Sequence, residues 1–372
     1  MQNTMSARHE KLSRLAQLGQ SVWLDYIDRP LLDGGGLARL IDQGVTGVTT
    51  NPSIFHKSIS NGTDYDADIQ RWLSTAPDTD VQSLLESLMI DDVRRAADLL
   101  QPVYEATQGV DGYVSLEVSP LLADDTDATI AAARRLWRAV DRSNLMIKIP
   151  ATEAGLPAIE HCLGLGINVN VTLIFSVARY QAVLAAYNAA LPRLEAPGGV
   201  ASVASFFISR IDSAVDPLLA EMTDPRAQQL QGRIALASAQ VAYAHLHQDM
   251  AGDRFARLAA QGARPQRLLW GSTGTKNPDY SDVCYVDGLI GPHTVNTLPP
   301  ATLDAFLDHG RAERTLSDAG EQASDELATL DQLGIALQEV TFALERAGVD
   351  AFVDAWQALL DDLTHKAEQL RG

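Results

Sequence analysis

The sequence predicts an α/β fold built on a parallel sheet, and three observations carry that reading. Eight short strand-like runs lie between residues 21 and 299. The intervals between them carry apolar residues at helical spacing, and strands that alternate with helices join in parallel. No Gly/Ser-rich or Pro-rich linker interrupts the series, so residues 1–372 read as a single domain. Two architectures satisfy this pattern: a closed (β/α)8 barrel and an open doubly wound sheet.

The elements follow in order. The N-terminal stretch MQNTMSARHEKLSRLAQLG is polar and helix-like, without the apolar core of a signal peptide. SVWLDYI (21–27) is the first strand. Gly34-Gly35-Gly36 then opens a helix and reads as a turn, because no GxGxxG or GxxxxGK[ST] loop follows the first strand. GVTGVTTNP (44–52) is the second strand, and a long helical region with an insertion near 61–108 comes next. GYVSLEV (112–118) is the third strand, a helix covers 126–142, and LMIKIPA (145–151) is the fourth. INVNVTLIF (167–175) is the fifth, followed by a helix over 177–191 and by VASVASFFI (200–208), the sixth. A helix over 232–250 leads to RLLWGST (267–273), and HTVNTLP (293–299) is the eighth strand. Beyond residue 300 the chain is helical, with a second insertion near 311–330 and C-terminal helices over 331–371 that pack on the barrel.

Composition bounds the function. With 46% hydrophobic residues the chain can bury a sizeable core. A net charge of −19 argues against a nucleic-acid surface and against acidic membranes. It leaves room for an anionic small molecule, which a few local cations can hold. Cys162 and Cys284 are the two cysteines, and no CxxC or Cys/His ligand spacing exists. A zinc ribbon or disulfide framework is therefore unsupported, and two reduced cysteines fit a cytoplasmic protein. No run of 18 apolar residues predicts a membrane span.

The informative residues are polar ones in strands. In NLMIKIPAT (144–152), Leu145, Met146, Ile147 and Ile149 surround Lys148. Lysine is almost never fully buried without compensation. In the fifth strand Asn168, Asn170 and Thr172 share one face by the period-2 rule. Helices cover the outside, so that face points inward. The second strand ends in Thr49-Thr50-Asn51, the third carries Glu117, and the first carries Asp25. Each alone can be a satisfied core residue or a rim charge. Together, polar groups near the ends of several strands mark the C-terminal barrel face, where such folds place their chemistry.

Lysine supplies that chemistry. At the reference pKa of ~10.4, roughly one side chain in a thousand is a free amine near neutral pH, and apolar surroundings favour the free form. A free amine attacks a ketone and forms a Schiff base, whose iminium is an electron sink for breaking a neighbouring carbon–carbon bond. Carboxylates in reach can move the protons this requires.

These residues resemble the transaldolase family. LDYIDR (24–29), TTNPSIF (49–55), SLEV (115–118), LMIKIPAT (145–152), GINVNVTLIFS (166–176) and SFFISRID (205–212) fall in the family's order. GSTGTKNPDYSDVCYVDGLIGPHTVNTLPPATL (271–303) resembles its longer bacterial branch. The resemblance implies a circularly permuted (β/α)8 barrel of the class I aldolase type, with no metal or organic cofactor. It implies sugar phosphate substrates and a monomer or homodimer. Lys148 matches the Schiff-base lysine, and Glu117 the acid/base that works through a water held with Thr172. Asp25 matches the acid/base of carbon–carbon cleavage. Asn51, Asn170 and Ser205 match residues that bind the dihydroxyacetone hydroxyls, and Thr49 and Phe207 fall in the same substrate-binding motifs. Arg210 matches the principal phosphate ligand. Many relatives carry a second arginine after the seventh strand. This chain has Ser272-Thr273-Gly274-Thr275-Lys276-Asn277 there, which makes Lys276 the candidate. Relatives that act as fructose 6-phosphate aldolases carry Gln at the Glu117 position and a Tyr hydroxyl near the catalytic water, where this chain has Phe207. The resemblance therefore implies the transferase. The rivals are an aldolase of that kind and a non-catalytic barrel scaffold.

Overall fold

Eight parallel strands close on themselves in chain order. They are β1 (Gln20–Leu24), β2 (Gly47–Val48), β3 (Tyr113–Glu117), β4 (Leu145–Pro150), β5 (Val169–Ile174), β6 (Ser202–Phe207), β7 (Arg267–Gly271) and β8 (Thr294–Leu298). The computed structural model describes residues 2–60, 62–75, 80–317 and 320–371. β8 pairs with β1 from Gln20↔Thr294 to Leu24↔Leu298, which closes the ring. Of the two sheets compatible with the sequence, the closed (β/α)8 barrel is the one formed.

The predicted helices are present as Thr126–Val140, Val177–Ala190 and Ile234–Met250. Two of them start where a side chain takes up a free N–H: Asp125 accepts from Ala128 N, and Ser176 from Arg179 N. The Gly34-Gly35-Gly36 turn lies between the helices Arg29–Asp33 and Gly36–Gln43, with Gly35 at φ 65°. The region near 61–108 forms the helices Asp66–Thr75 and Val81–Ala106. The region near 311–330 includes the start of the helix Glu321–Gln332. Residues 61, 76–79, 318 and 319 of those two regions lie outside the described residues.

The second strand is far shorter than the predicted 44–52. Gly44 (φ 113°) caps the helix before it. After Val48 the chain leaves the sheet, because its polar groups find other partners. Thr50 Oγ1 donates to Ser115 O at 2.8 Å, and Asn51 Oδ1 accepts from Ile54 N at 2.9 Å as the helix Pro52–Ser60 begins.

Trp23, Tyr113, Met146, Val203, Leu269 and Val295 form their own cluster, separate from the main core. They come from six strands and fill the barrel interior, as a packed barrel requires. Gly47 makes room for Trp23: a Cβ there would lie 2.6 Å from indole ring atoms. The C-terminal helix, Leu337–Arg371, packs against β5 and against the segments that follow β2, β3 and β6. It therefore runs across the C-terminal end of the barrel. Gly348, Phe352, Trp356, Leu359, Leu363 and Ala367 form its buried stripe. Among the described residues, no helix is long and apolar enough to cross a membrane.

Candidate active site

Strand period decides which side chains enter the barrel. Met146 belongs to the interior cluster, so Lys148, two residues on, shares its face. The register pairs Lys148 with Glu117 on β3 and with Asn170 on β5. Of the inward set predicted from the fifth strand, Asn170 thus lies beside the lysine and Thr172 one step further toward the C-terminal end. Asn168 is at the other end, where its Nδ2 donates to Ser143 O and Leu145 O, both at 2.9 Å.

Lys148 is 5% exposed, and its surroundings explain how a lysine is tolerated there. Nζ donates to Thr50 O at 3.0 Å and lies 3.4 Å from Glu117 Oε2. The Phe352 ring of the C-terminal helix sits with its centroid 5.6 Å from Nζ. A carbonyl, a carboxylate and an aromatic face together compensate the buried nitrogen.

Burial pushes the Glu117 carboxyl up to about 7, against the pull of Lys148, and the nearby Asp25 charge pushes the same way. A carboxyl that titrates near neutrality can both give and take a proton. Glu117 Oε2 is buried with only the 3.4 Å contact to Lys148 Nζ, and Thr172 Oγ1 is buried with no hydrogen-bond partner among the described residues. Buried polar atoms of this kind are the usual partners of an internal water.

Asp25 follows β1 and is half-buried at the barrel mouth. Thr49 Oγ1 donates to its Oδ1 at 2.7 Å, and Thr297 Oγ1 lies 2.5 Å from Thr49 Oγ1. Because Thr49 spends its one proton on Asp25, the Thr297 hydroxyl donates to Thr49. Burial raises the Asp25 carboxyl above its ordinary value, with Lys148 and the Thr49 hydrogen bond opposing.

Asn170 and Ser205 form one chain: Ser205 Oγ donates to Asn170 Oδ1 at 2.6 Å, and Asn170 Nδ2 donates to Ser115 Oγ at 2.9 Å. Phe207 packs at a tilt of 48° against Phe175 with centroids 5.3 Å apart, and the Arg210 guanidinium lies 5.8 Å from the centre of the Phe207 ring. Arg210 is the second residue of the helix Ser209–Ala220. It is half-buried, burial lowers its pKa, and no carboxylate pairs with it among the described residues. An arginine at a helix N-terminus with no carboxylate partner adds to the partial positive charge already there, and such a place suits an anion.

Lys276 is not joined to this group. It is exposed and lines a cleft with Asp212, Asp216, Tyr280 and Tyr285, and no hydrogen bond or ion pair links it to Arg210 among the described residues. No cluster of three or more His, Cys, Asp or Glu is placed to hold a metal among the described residues.

Three contributors escape the sequence reading. Ser115 shares the Glu117 face two residues earlier, a signal the alternation did carry. Thr297 holds Thr49, and only the closure of β8 on β1 brings it there. Phe352 lies in an apolar helical stripe that reads as ordinary packing. The arrangement as a whole offers a buried amine, two carboxyls with raised pKa values and an unpaired cation. It can form a Schiff base with a ketone that bears a phosphate.

Comparison with known proteins agrees with this chemistry. The family described as Transaldolase/Fructose-6-phosphate aldolase matches residues 22–363. A transaldolase of Mycolicibacterium smegmatis is 47% identical over 361 residues, which is 95% of this chain and 97% of that protein. Transaldolase 1 of Streptomyces avermitilis is 48% identical over 375 residues, 99% of this chain and 98% of that one. A transaldolase of Thiobacillus denitrificans is 48% identical over 351 residues, covering 93% and 97%. A lysine-bearing barrel of this geometry, matched over nearly its whole length, belongs to the transaldolase/fructose-6-phosphate aldolase family.

Proposed function

We infer that the chain is a transaldolase of the pentose phosphate pathway. It moves a dihydroxyacetone unit from sedoheptulose 7-phosphate or fructose 6-phosphate to glyceraldehyde 3-phosphate or erythrose 4-phosphate. The observation that carries this reading is the buried Lys148 amine held between Thr50 O and Glu117.

In this reading the Lys148 amine adds to the ketone carbon of the donor. Glu117, through a water held with Thr172, gives the carbinolamine oxygen a proton, and water leaves to form the iminium. Asp25, oriented by Thr49, takes the proton from the hydroxyl beyond the scissile bond. That bond breaks, its electrons flow into the iminium, and the first aldose leaves. The enamine on Lys148 then adds to the carbonyl of the incoming aldose, and the same groups run the steps in reverse. Asn51, Asn170 and Ser205 bind the dihydroxyacetone hydroxyls, and Phe207 walls the site. Arg210 binds the phosphate with the help of the helix N-terminus. Lys276 is the second cation, acting from its exposed position. The chain works as a single domain, in the cytoplasm, as a monomer or homodimer, without a metal or organic cofactor.

An aldolase that frees dihydroxyacetone is the alternative. Glu117 and Phe207 favour transfer, since the aldolase-type relatives differ at both positions. The deciding experiment supplies fructose 6-phosphate and erythrose 4-phosphate together. Stoichiometric sedoheptulose 7-phosphate and glyceraldehyde 3-phosphate are expected. Free dihydroxyacetone as the main product would select the aldolase, and no turnover would leave the scaffold reading.

A further inference from the structure

We propose that Phe352 is a specificity-determining residue that keeps the dihydroxyacetone adduct on Lys148 until an aldose phosphate collects it. The proposal rests on the transaldolase reading above and names the group that separates transfer from release.

The barrel supplies Thr50 O and Glu117 Oε2, and the helix crossing the barrel end supplies the Phe352 ring, whose centroid is 5.6 Å from Nζ. Phe352 is 6% exposed, so the ring beside the amine is a buried group. The helix that carries it is pinned on both sides. Arg179 donates to Glu345 through Nε at 3.0 Å and Nη2 at 3.2 Å. Lys366 lies 2.9 Å from Asp66 Oδ1. One turn before Phe352, Gly348 lets the helix come down on the barrel: a Cβ there would lie 3.0 Å from Leu173 Cδ2. Trp356, one turn after, is 1% exposed. The ring is therefore held in place, and it is an apolar group where a polar side chain would recruit water.

A transferase needs such a wall for a chemical reason. After the first aldose leaves, the enamine can be lost. A proton adds to its carbon and restores the iminium. Water then adds to the iminium carbon, the nitrogen takes a proton, and the carbon–nitrogen bond breaks to give free dihydroxyacetone and the lysine amine. Every atom of that loss comes from water; the one water the reaction needs is held by Glu117 and Thr172, and the ring suppresses the loss by keeping further water off the adduct. The face of the ring also attracts the cationic iminium nitrogen without offering it a nucleophile.

The test uses the full chain as wild type, Phe352→Ala and Phe352→Leu. Two rates are measured with fructose 6-phosphate: free dihydroxyacetone released, and sedoheptulose 7-phosphate formed when erythrose 4-phosphate is added. Phe352→Ala should raise the ratio of release to transfer about tenfold, the scale of a lost desolvated cation–π contact plus admitted water. Phe352→Leu keeps an apolar group and should raise it about threefold, since it lacks the ring face. Borohydride should still trap the adduct on Lys148 in both variants. A residue that merely packs the helix would slow both reactions alike, so an unchanged ratio overturns the proposal. Should the Ala variant not fold, the Leu ratio decides by the same criterion. Wild type that neither transfers nor traps an adduct would instead refute the transaldolase reading itself, a result separable from normal transfer with an unmoved ratio.

Discussion

Replacing Glu117 by Gln should cost activity and return stability, and the return should depend on pH in a calculable way. Burial pushes this carboxyl from 4.5 to about 7. Below about pH 4.5 it is neutral in both folded and unfolded chains. Between 4.5 and about 7 the unfolded chain has given up a proton that the folded chain still holds, so stability falls as pH rises. Above about 7 the folded chain carries the full cost of a buried carboxylate. That cost is on the order of 3 kcal/mol, at ~1.36 kcal/mol per pH unit. Glutamine has the same shape and no titration. The stability difference, variant minus wild type, should therefore grow by roughly 2–3 kcal/mol from pH 5 to pH 8. Guanidinium titrations of both proteins at four pH values would measure it, with wild type as the reference for all other titrating groups. A difference independent of pH, or one that shrinks toward pH 8, would mean that Lys148 keeps Glu117 ionised throughout. The neutral-pH acid/base role would then fail with it. In the same variant, Schiff-base formation should slow by about 100-fold or more.

Asp25→Asn should slow carbon–carbon cleavage by about 100-fold or more while borohydride still captures the donor on Lys148. Loss of capture in that variant, with capture intact in Glu117→Gln, would exchange the two roles. Arg210→Ala should lower kcat/KM for fructose 6-phosphate by roughly 30-fold, or about 2 kcal/mol for a partly desolvated phosphate pair, and barely affect unphosphorylated fructose. Lys276→Ala should show a weaker form of the same selectivity. Equal proportional losses on both sugars would make either residue a structural one.

The strands were readable because buried parallel strands leave short apolar runs, and the site because polar residues broke those runs at regular spacing. Lys148, Glu117 and Asn170 are neighbours for the reason the alternation predicts: equal parity on adjacent strands. Closure follows from the family resemblance and not from the strand pattern, since β8 meeting β1 depends on strands some 270 residues apart in the chain, from Gln20 to Thr294. The same blindness hid Thr297. The second strand was read too long because Thr49, Thr50 and Asn51 look like a continuing β segment. Thr49 N still donates to Leu24 O, but the Thr50 and Asn51 side chains turn to Ser115 and Ile54 as the next helix begins. Phe352 was hidden for a different reason. An aromatic residue at helical spacing carries the same pattern whether it packs a core or covers an amine, and only the folded position tells the two apart. Lys276 was placed by analogy with a position where relatives carry arginine, and the loop sets it in a cleft beside Asp212 and Asp216.

The central claim is that one buried lysine carries the covalent intermediate. Borohydride reduction in the presence of fructose 6-phosphate, followed by peptide mass mapping, tests it directly. A single reduced dihydroxyacetone adduct is expected, on the peptide that contains Lys148, and Lys148→Arg should abolish it together with transfer because a guanidinium stays protonated. An adduct on Lys276 or any other lysine, or normal turnover by the arginine variant, would contradict the account.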